Sequence, residues 1–338
     1  MQKYLFSNRK QELIYFYTPV FLTCLLFLIP NESSQWLFQL PLIYIGLQMI
    51  DSGHIWPSFL IAYSSERAKI ILRLLPVIVL VIYLLIGFYF DKFGIYRLHA
   101  YLAAFHFIRQ QYGILKLSSN LNPSRSSWIN KTEFYSIYAI TISSLIGRMS
   151  NEGVWMRDAD LIQIPELYFH PAMTIFFFTV LLYSSLVLYS YFKYQEFFLS
   201  RFLIYTSAIF AWGVIGFTKL PIIALFPLFH DLPYLGLIYR YPNPWLKRVK
   251  TYLSKIRFST VNSSFLVLVV ITIFIGSIVE FSLYRYLDLH VDEDLSNSLK
   301  VLLCSIAFLP TTTHYLIDGF IWRKDIMPNS ILNNSDKS

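Results

Sequence analysis

Glycine and cysteine are both scarce in this chain, at 12 and 2 residues out of 338. Two thiols cannot build a disulfide framework, a structural zinc box or an iron–sulfur site. Both Cys24 and Cys304 lie in apolar runs and read as small apolar side chains. Charge is thin as well: 14% of residues are charged against 56% hydrophobic, with a mean hydropathy of +0.51. That balance excludes a water-soluble globule and points to a polytopic membrane protein. There is no internal repeat and no low-complexity tract. The net charge of +8 would suit nucleic acid, but no nucleic-acid-binding module accompanies it, and no such partner is expected.

What the chain does have is long apolar runs near the roughly 20 residues that a helix needs to cross the hydrocarbon layer. Their spacing predicts an all-α transmembrane bundle of about ten helices, with a range of 8–10, at about 12–30, 37–64, 70–90, 94–117, 133–148, 171–192, 202–218, 221–239, 264–284 and 299–322. Lys3, Arg9 and Lys10 ahead of an apolar run give the outline of a signal peptide. The run from Leu13 to Pro30 is long and lacks a small-x-small cleavage site, so it is expected to be the first span. With the N-terminus in the cytoplasm, 20 of the 28 Lys and Arg residues fall on the inner side, seven on the outer side, and Arg73 within a span. Both termini are therefore expected to be cytoplasmic. After Tyr241-Pro242-Asn243-Pro244, apolar Leu246, Val249, Leu253 and Ile256 alternate with basic residues, which predicts an amphipathic helix over about 245–257 lying among lipid headgroups. One transmembrane domain over 1–324 and a disordered cytoplasmic tail over 325–338 complete the expected organisation.

The chain has seven histidines. Four of them, His54, His106, His230 and His314, fall in the second, fourth, eighth and tenth expected spans. All four of those spans run from outside to inside in the orientation above, so position along the helix converts to depth. The four rings fall in one band from the midplane to the inner leaflet. Each has polar company at helical spacing: Asp51 before His54, Arg109 and Gln110 after His106, Asp231 and Tyr234 after His230, and Asp318 four residues after His314. Ionisable groups at that depth cost several kcal/mol each unless paired or ligating. Neutral imidazole is the commonest protein ligand for iron, zinc and copper, and neighbouring carboxylates suit iron. The expected metal ligands are thus His54, His106, His230 and His314. Asp51, Asp231, Asp318, Tyr234 and Arg109 are the expected catalytic neighbours. His99, seven residues before His106 and nearer the outer interface, is expected to be structural or to line the rim.

The segments HFIRQQYG (His106–Gly113), HDLPY (His230–Tyr234) and HYLIDGFIWR (His314–Arg323) resemble, in layout, the histidine motifs of integral-membrane iron oxygenases. The nearest in style is the bacterial and archaeal Brp/Blh type of β-carotene cleavage enzyme. The closely spaced His-x-x-His-His boxes of membrane desaturases and alkane hydroxylases are absent. The resemblance implies Fe(II) held by histidines from several helices, and a carotenoid or other lipophilic substrate.

Together these observations predict a multi-pass metalloenzyme, in a bacterial inner or plasma membrane, with oxygenase-type chemistry on a lipid-soluble substrate. Fe(II) is the expected ion and zinc the alternative; membrane lipids are the expected surroundings. Two rival classes remain. A proton- or ion-coupled transporter would use the same groups as a relay, but sparse glycine and the missing repeat count against it. A lipid-modifying transferase with one catalytic histidine would leave three histidines idle.

Overall fold

A computed structural model describes residues 5, 8–27, 51, 53–59, 62, 66–121, 126–151, 160–218, 227–240 and 296–321. The described residues are helical apart from turns and short connections. The helices are α1 (Arg9–Phe27), α2 (Glu66–Leu121), α3 (Ser127–Ser150), α4 (Phe169–Tyr194), α5 (Leu199–Phe217), α6 (Leu232–Arg240) and α7 (Asn297–Ile321). A short helical stretch covers 53–59, and a five-residue π-helical turn, Pro227–Asp231, leads into α6. The expected span at 264–284, the interfacial helix at 245–257 and the tail at 325–338 lie outside the described residues.

Among the described residues, four helices are long and apolar enough to cross a membrane: Arg73–Ser119, Glu166–Tyr194, Leu199–Phe217 and Asn297–Gly319. The outer face of α4 exposes Phe177, Phe178, Leu181 and Leu188, and the first part of α2 exposes Leu74, Val77, Leu85 and Phe88. Stripes of that kind are stable only against lipid or another apolar surface. α1, which opens on Arg9, Lys10 and Glu12, and α3, rich in serine and threonine, are helical where spans are expected but do not belong to the apolar set.

The chain forms two compact units. The first comprises Met1–Trp36, Ala104–Pro233 and Ser338. In it, α3 packs on α4 and α5, and α1 packs on α5. Hydroxyls that an apolar setting would penalise bond back onto their own helix: Thr132 to the Trp128 carbonyl, Thr141 to Ile137 and Ser150 to Ile146. Small residues let α3 and α5 approach closely. A Cβ on Gly216 would lie 2.6 Å from Ser144 Cα and 2.7 Å from its carbonyl oxygen. The backbone cannot yield there, so Gly216→Ala is expected to lower stability by about 1–3 kcal/mol. Gly113, in contrast, has open space around it, so Gly113→Ala should raise stability by up to about 1 kcal/mol through helix propensity. Thermal melts of the two variants in detergent should move in opposite directions.

The second unit comprises Leu37–Ala103 and Tyr234–Lys337. Its core is built from Val79, Tyr83, Ile95, Tyr96, Val301, Cys304, Ala307 and Phe308. Asp91 interrupts α2 with φ 55° and ψ −158°. Tyr83 and His99 are 16 residues apart, yet the Tyr83 hydroxyl is 3.2 Å from His99 Nδ1. A straight helix would separate them by ~24 Å. The chain therefore doubles back at Asp91 into a helical hairpin, with the Asp91 carboxylate accepting the Phe93 N–H at 2.7 Å. The break falls between the expected helices 70–90 and 94–117.

Candidate metal centre

In the first unit, His106 comes from α2 and His230 from the π turn. Prolines flank that turn: Pro233 has no N–H to offer the Phe229 carbonyl, so the α-helical ladder cannot pass through unbroken. The wider turn carries His230 and Asp231 together; they are 4% and 0% exposed. His106 Nε2 and His230 Nε2 are 3.2 Å apart, their rings crossed at 76°. Metal–nitrogen bonds of about 2.1 Å, at angles from tetrahedral to right-angled, place two ligating nitrogens roughly 3.0–3.4 Å apart. The observed separation fits the bite of two imidazoles on one ion, as it fits an N–H···N hydrogen bond between the rings. Asp231 Oδ1 lies 3.6 Å from the same nitrogen of His230 and supplies an oxygen donor. The edge of the His230 ring meets Phe107, with centroids 4.2 Å apart, and Gln110, one turn after His106, donates from Nε2 to the His230 carbonyl at 3.0 Å. Gln110 thus holds the turn and Phe107 fixes the ring plane.

In the second unit, His54 and His314 are both buried, with ring centroids 4.7 Å apart and planes at 85°. The His54 Nδ1–H bonds to the Asp51 carbonyl three residues earlier. A carbonyl only accepts, so in the neutral ring Nδ1 carries the proton and Nε2 the lone pair. The Asp51 carboxylate is 4.0 Å from the same ring. His314 Nδ1 is 2.9 Å from Ser58 Oγ, Ser58 is hydrogen-bonded to the Tyr234 hydroxyl, and Tyr234 donates to Asp318 Oδ1 at 2.9 Å. Asp318 itself is 3.7 Å from His314 Nδ1, beyond hydrogen-bond reach.

The sequence-derived ligands thus come together as two buried imidazole pairs, one in each unit, with Asp231 beside the first and Asp51 and Asp318 beside the second. Buried imidazoles and carboxylates of this kind could hold a metal ion. Arg109 is placed differently. It is exposed and donates to the Tyr138 hydroxyl at 3.1 Å, with its guanidinium 5.5 Å from the Tyr112 ring. His99 is buried in a separate polar knot, 3.0 Å from the Thr312 hydroxyl and bonded to Tyr83, with the Phe308 ring tilted against it at 4.2 Å and Tyr315 stacked at 5.7 Å. It is a structural residue.

Ser58 and Phe107 are the additions that sequence reasoning missed. Both had a signal. Ser58 lies four residues after His54, on the same helical face, and Phe107 adjoins His106. No family model, no curated protein and no solved structure matches this chain.

Proposed function

We propose that this protein is a multi-pass integral-membrane metalloenzyme whose metal ligands are the buried imidazoles of His106 and His230 and of His54 and His314, with Asp51, Asp231 and Asp318 as further ligands or hydrogen-bond partners. The observation that carries this reading is the 3.2 Å separation of the His106 and His230 Nε2 atoms, two buried imidazole nitrogens turned toward each other with the Asp231 carboxylate beside them. A second buried imidazole pair, His54 with His314, supports it.

Fe(II) suits a donor set of imidazoles and carboxylates without thiolate. When bound, it supplies activation of dioxygen for oxidative chemistry. The chain's own residues do the rest. Apolar helices keep bulk water away from the imidazoles and admit a lipophilic substrate from the bilayer. The π turn and Gln110 hold His230 at its distance from His106. The same reading places about ten helices across the inner membrane of a bacterium, with both termini cytoplasmic. On the resemblance to Brp/Blh-type enzymes, β-carotene is the first substrate to assay.

Mass-spectrometric metal analysis of detergent-purified protein tests the proposal. The wild-type chain should retain metal in a fixed ratio near one or two ions per chain. The double variant His106→Ala, His314→Ala should retain none. Stoichiometric metal in that variant would overturn the reading.

A further inference from the structure

A pocket in the first unit opens between α3, α4 and α5, and its walls share no residue with the candidate metal centre. Glu133, Ser190, Glu196, Phe197, Arg201 and Phe202 line it. The turn from α4 to α5 shapes one side. Gln195 takes the left-handed conformation, with φ 55° and ψ 33°, and the Glu196 N–H bonds to the Ser190 carbonyl at 3.3 Å. That closure holds Glu196 and Phe197 at the pocket.

The walls have the chemistry of a cation site. Two carboxylates and one guanidinium leave them net negative, with Arg201 and Glu133 paired and buried. The Phe197 and Phe202 rings meet there, centroids 5.5 Å apart. Carboxylate and hydroxyl oxygens accept from an ammonium, and aromatic rings attract it further. The level of the pocket limits what carries that ammonium. α4 and α5 are both long and apolar enough to cross a membrane, and only residues 195–198 join them. A turn so short between two spans lies among lipid headgroups. The Trp128 and Tyr189 rings, 5.8 Å apart, and Lys193, which donates to the Tyr189 hydroxyl, are the residues of such an interface.

We propose that this pocket binds the head of a zwitterionic, ethanolamine-type phospholipid. Its ammonium lies against Glu196 and Ser190, beside the Glu133–Arg201 pair, and its phosphate stays outside, at the level of the exposed Lys131 and Lys193. In such a headgroup the ammonium is terminal, so it enters first and the phosphate follows. A primary ammonium brings three N–H donors. A trimethylated head brings none, and an anionic head meets the negative walls. The proposal uses the membrane reading of α4 and α5 and is independent of the metal centre.

Native mass spectrometry of the detergent-purified full chain, titrated with phospholipids of identical acyl chains, tests it. Wild type should bind phosphatidylethanolamine about 10-fold more tightly than phosphatidylcholine or phosphatidylglycerol. Glu196→Gln keeps the shape of the wall and should erase that preference without weakening phosphatidylglycerol. Soluble O-phosphoethanolamine at the same concentration should not compete, because it lacks the acyl chains. Equal binding of the three lipids by wild type overturns the proposal, as does a preference that survives in Glu196→Gln. Competition by the soluble amine at equal concentration would overturn the lipid as its source. The wild-type ranking needs no variant, so it decides the matter even if Glu196→Gln fails to fold.

Discussion

Arg201→Met is expected to lower the unfolding free energy of the detergent-solubilised protein by about 3–5 kcal/mol. Arg201 pairs with Glu133 on α3, their side chains only 3% and 8% exposed, and also donates to Asn130 Oδ1 at 2.6 Å. Removing the guanidinium leaves a carboxylate sealed among α3, α4 and α5 with no counter-charge. The double variant Arg201→Met, Glu133→Leu removes both ions and should recover most of the loss, since apolar side chains of similar volume cost nothing to desolvate. Chemical denaturation followed by tryptophan fluorescence reads both. Equal destabilisation in the single and double variants would show that packing, and not the orphaned charge, sets the cost.

His230→Ala is expected to abolish retained metal, and His99→Ala to leave it intact. Both rings are buried and both make polar contacts, so burial does not separate them. Their neighbours do. His230 faces a second imidazole at ligand-bite distance with Asp231 beside it. His99 faces the Tyr83 and Thr312 hydroxyls and the Phe308 and Tyr315 rings, none of which is a usual ligand. His99→Ala leaves Tyr83 and Thr312 bonded to each other and removes a ring from the core, so a stability loss of about 1–3 kcal/mol is expected without change in metal content. Metal analysis and thermal melts of the two variants should form opposite patterns. Metal lost from His99→Ala and kept in His230→Ala would reverse the assignment of the two rings.

Much of this was legible in the sequence because membranes make simple demands. Helix placement followed from apolar length: α4, α5 and α7 begin and end within a few residues of expectation, and the break before residue 94 appears at Asp91. The histidines stood out because imidazoles are rare at that depth, and their i+3 and i+4 partners were visible by spacing. What could not be read are meetings of residues distant in the chain. Arg201 counted only as one more inner-side charge, and nothing nearby in sequence announces Glu133, 68 residues earlier. The partners of His99 are equally hidden, since Thr312 lies 213 residues away. The π turn was also beyond reach: Pro227 and Pro233 mark a disturbed helix but do not specify its pitch.

The fold-back at Asp91 bears on how the protein is made. Tyr83 and His99 leave the ribosome close together, while Thr312 follows some two hundred residues later. Local contacts form on the timescale of synthesis, well before distant ones become available. The newborn hairpin therefore carries a phenol that can satisfy its imidazole before the last helix is made, and that helix completes the arrangement instead of rescuing it.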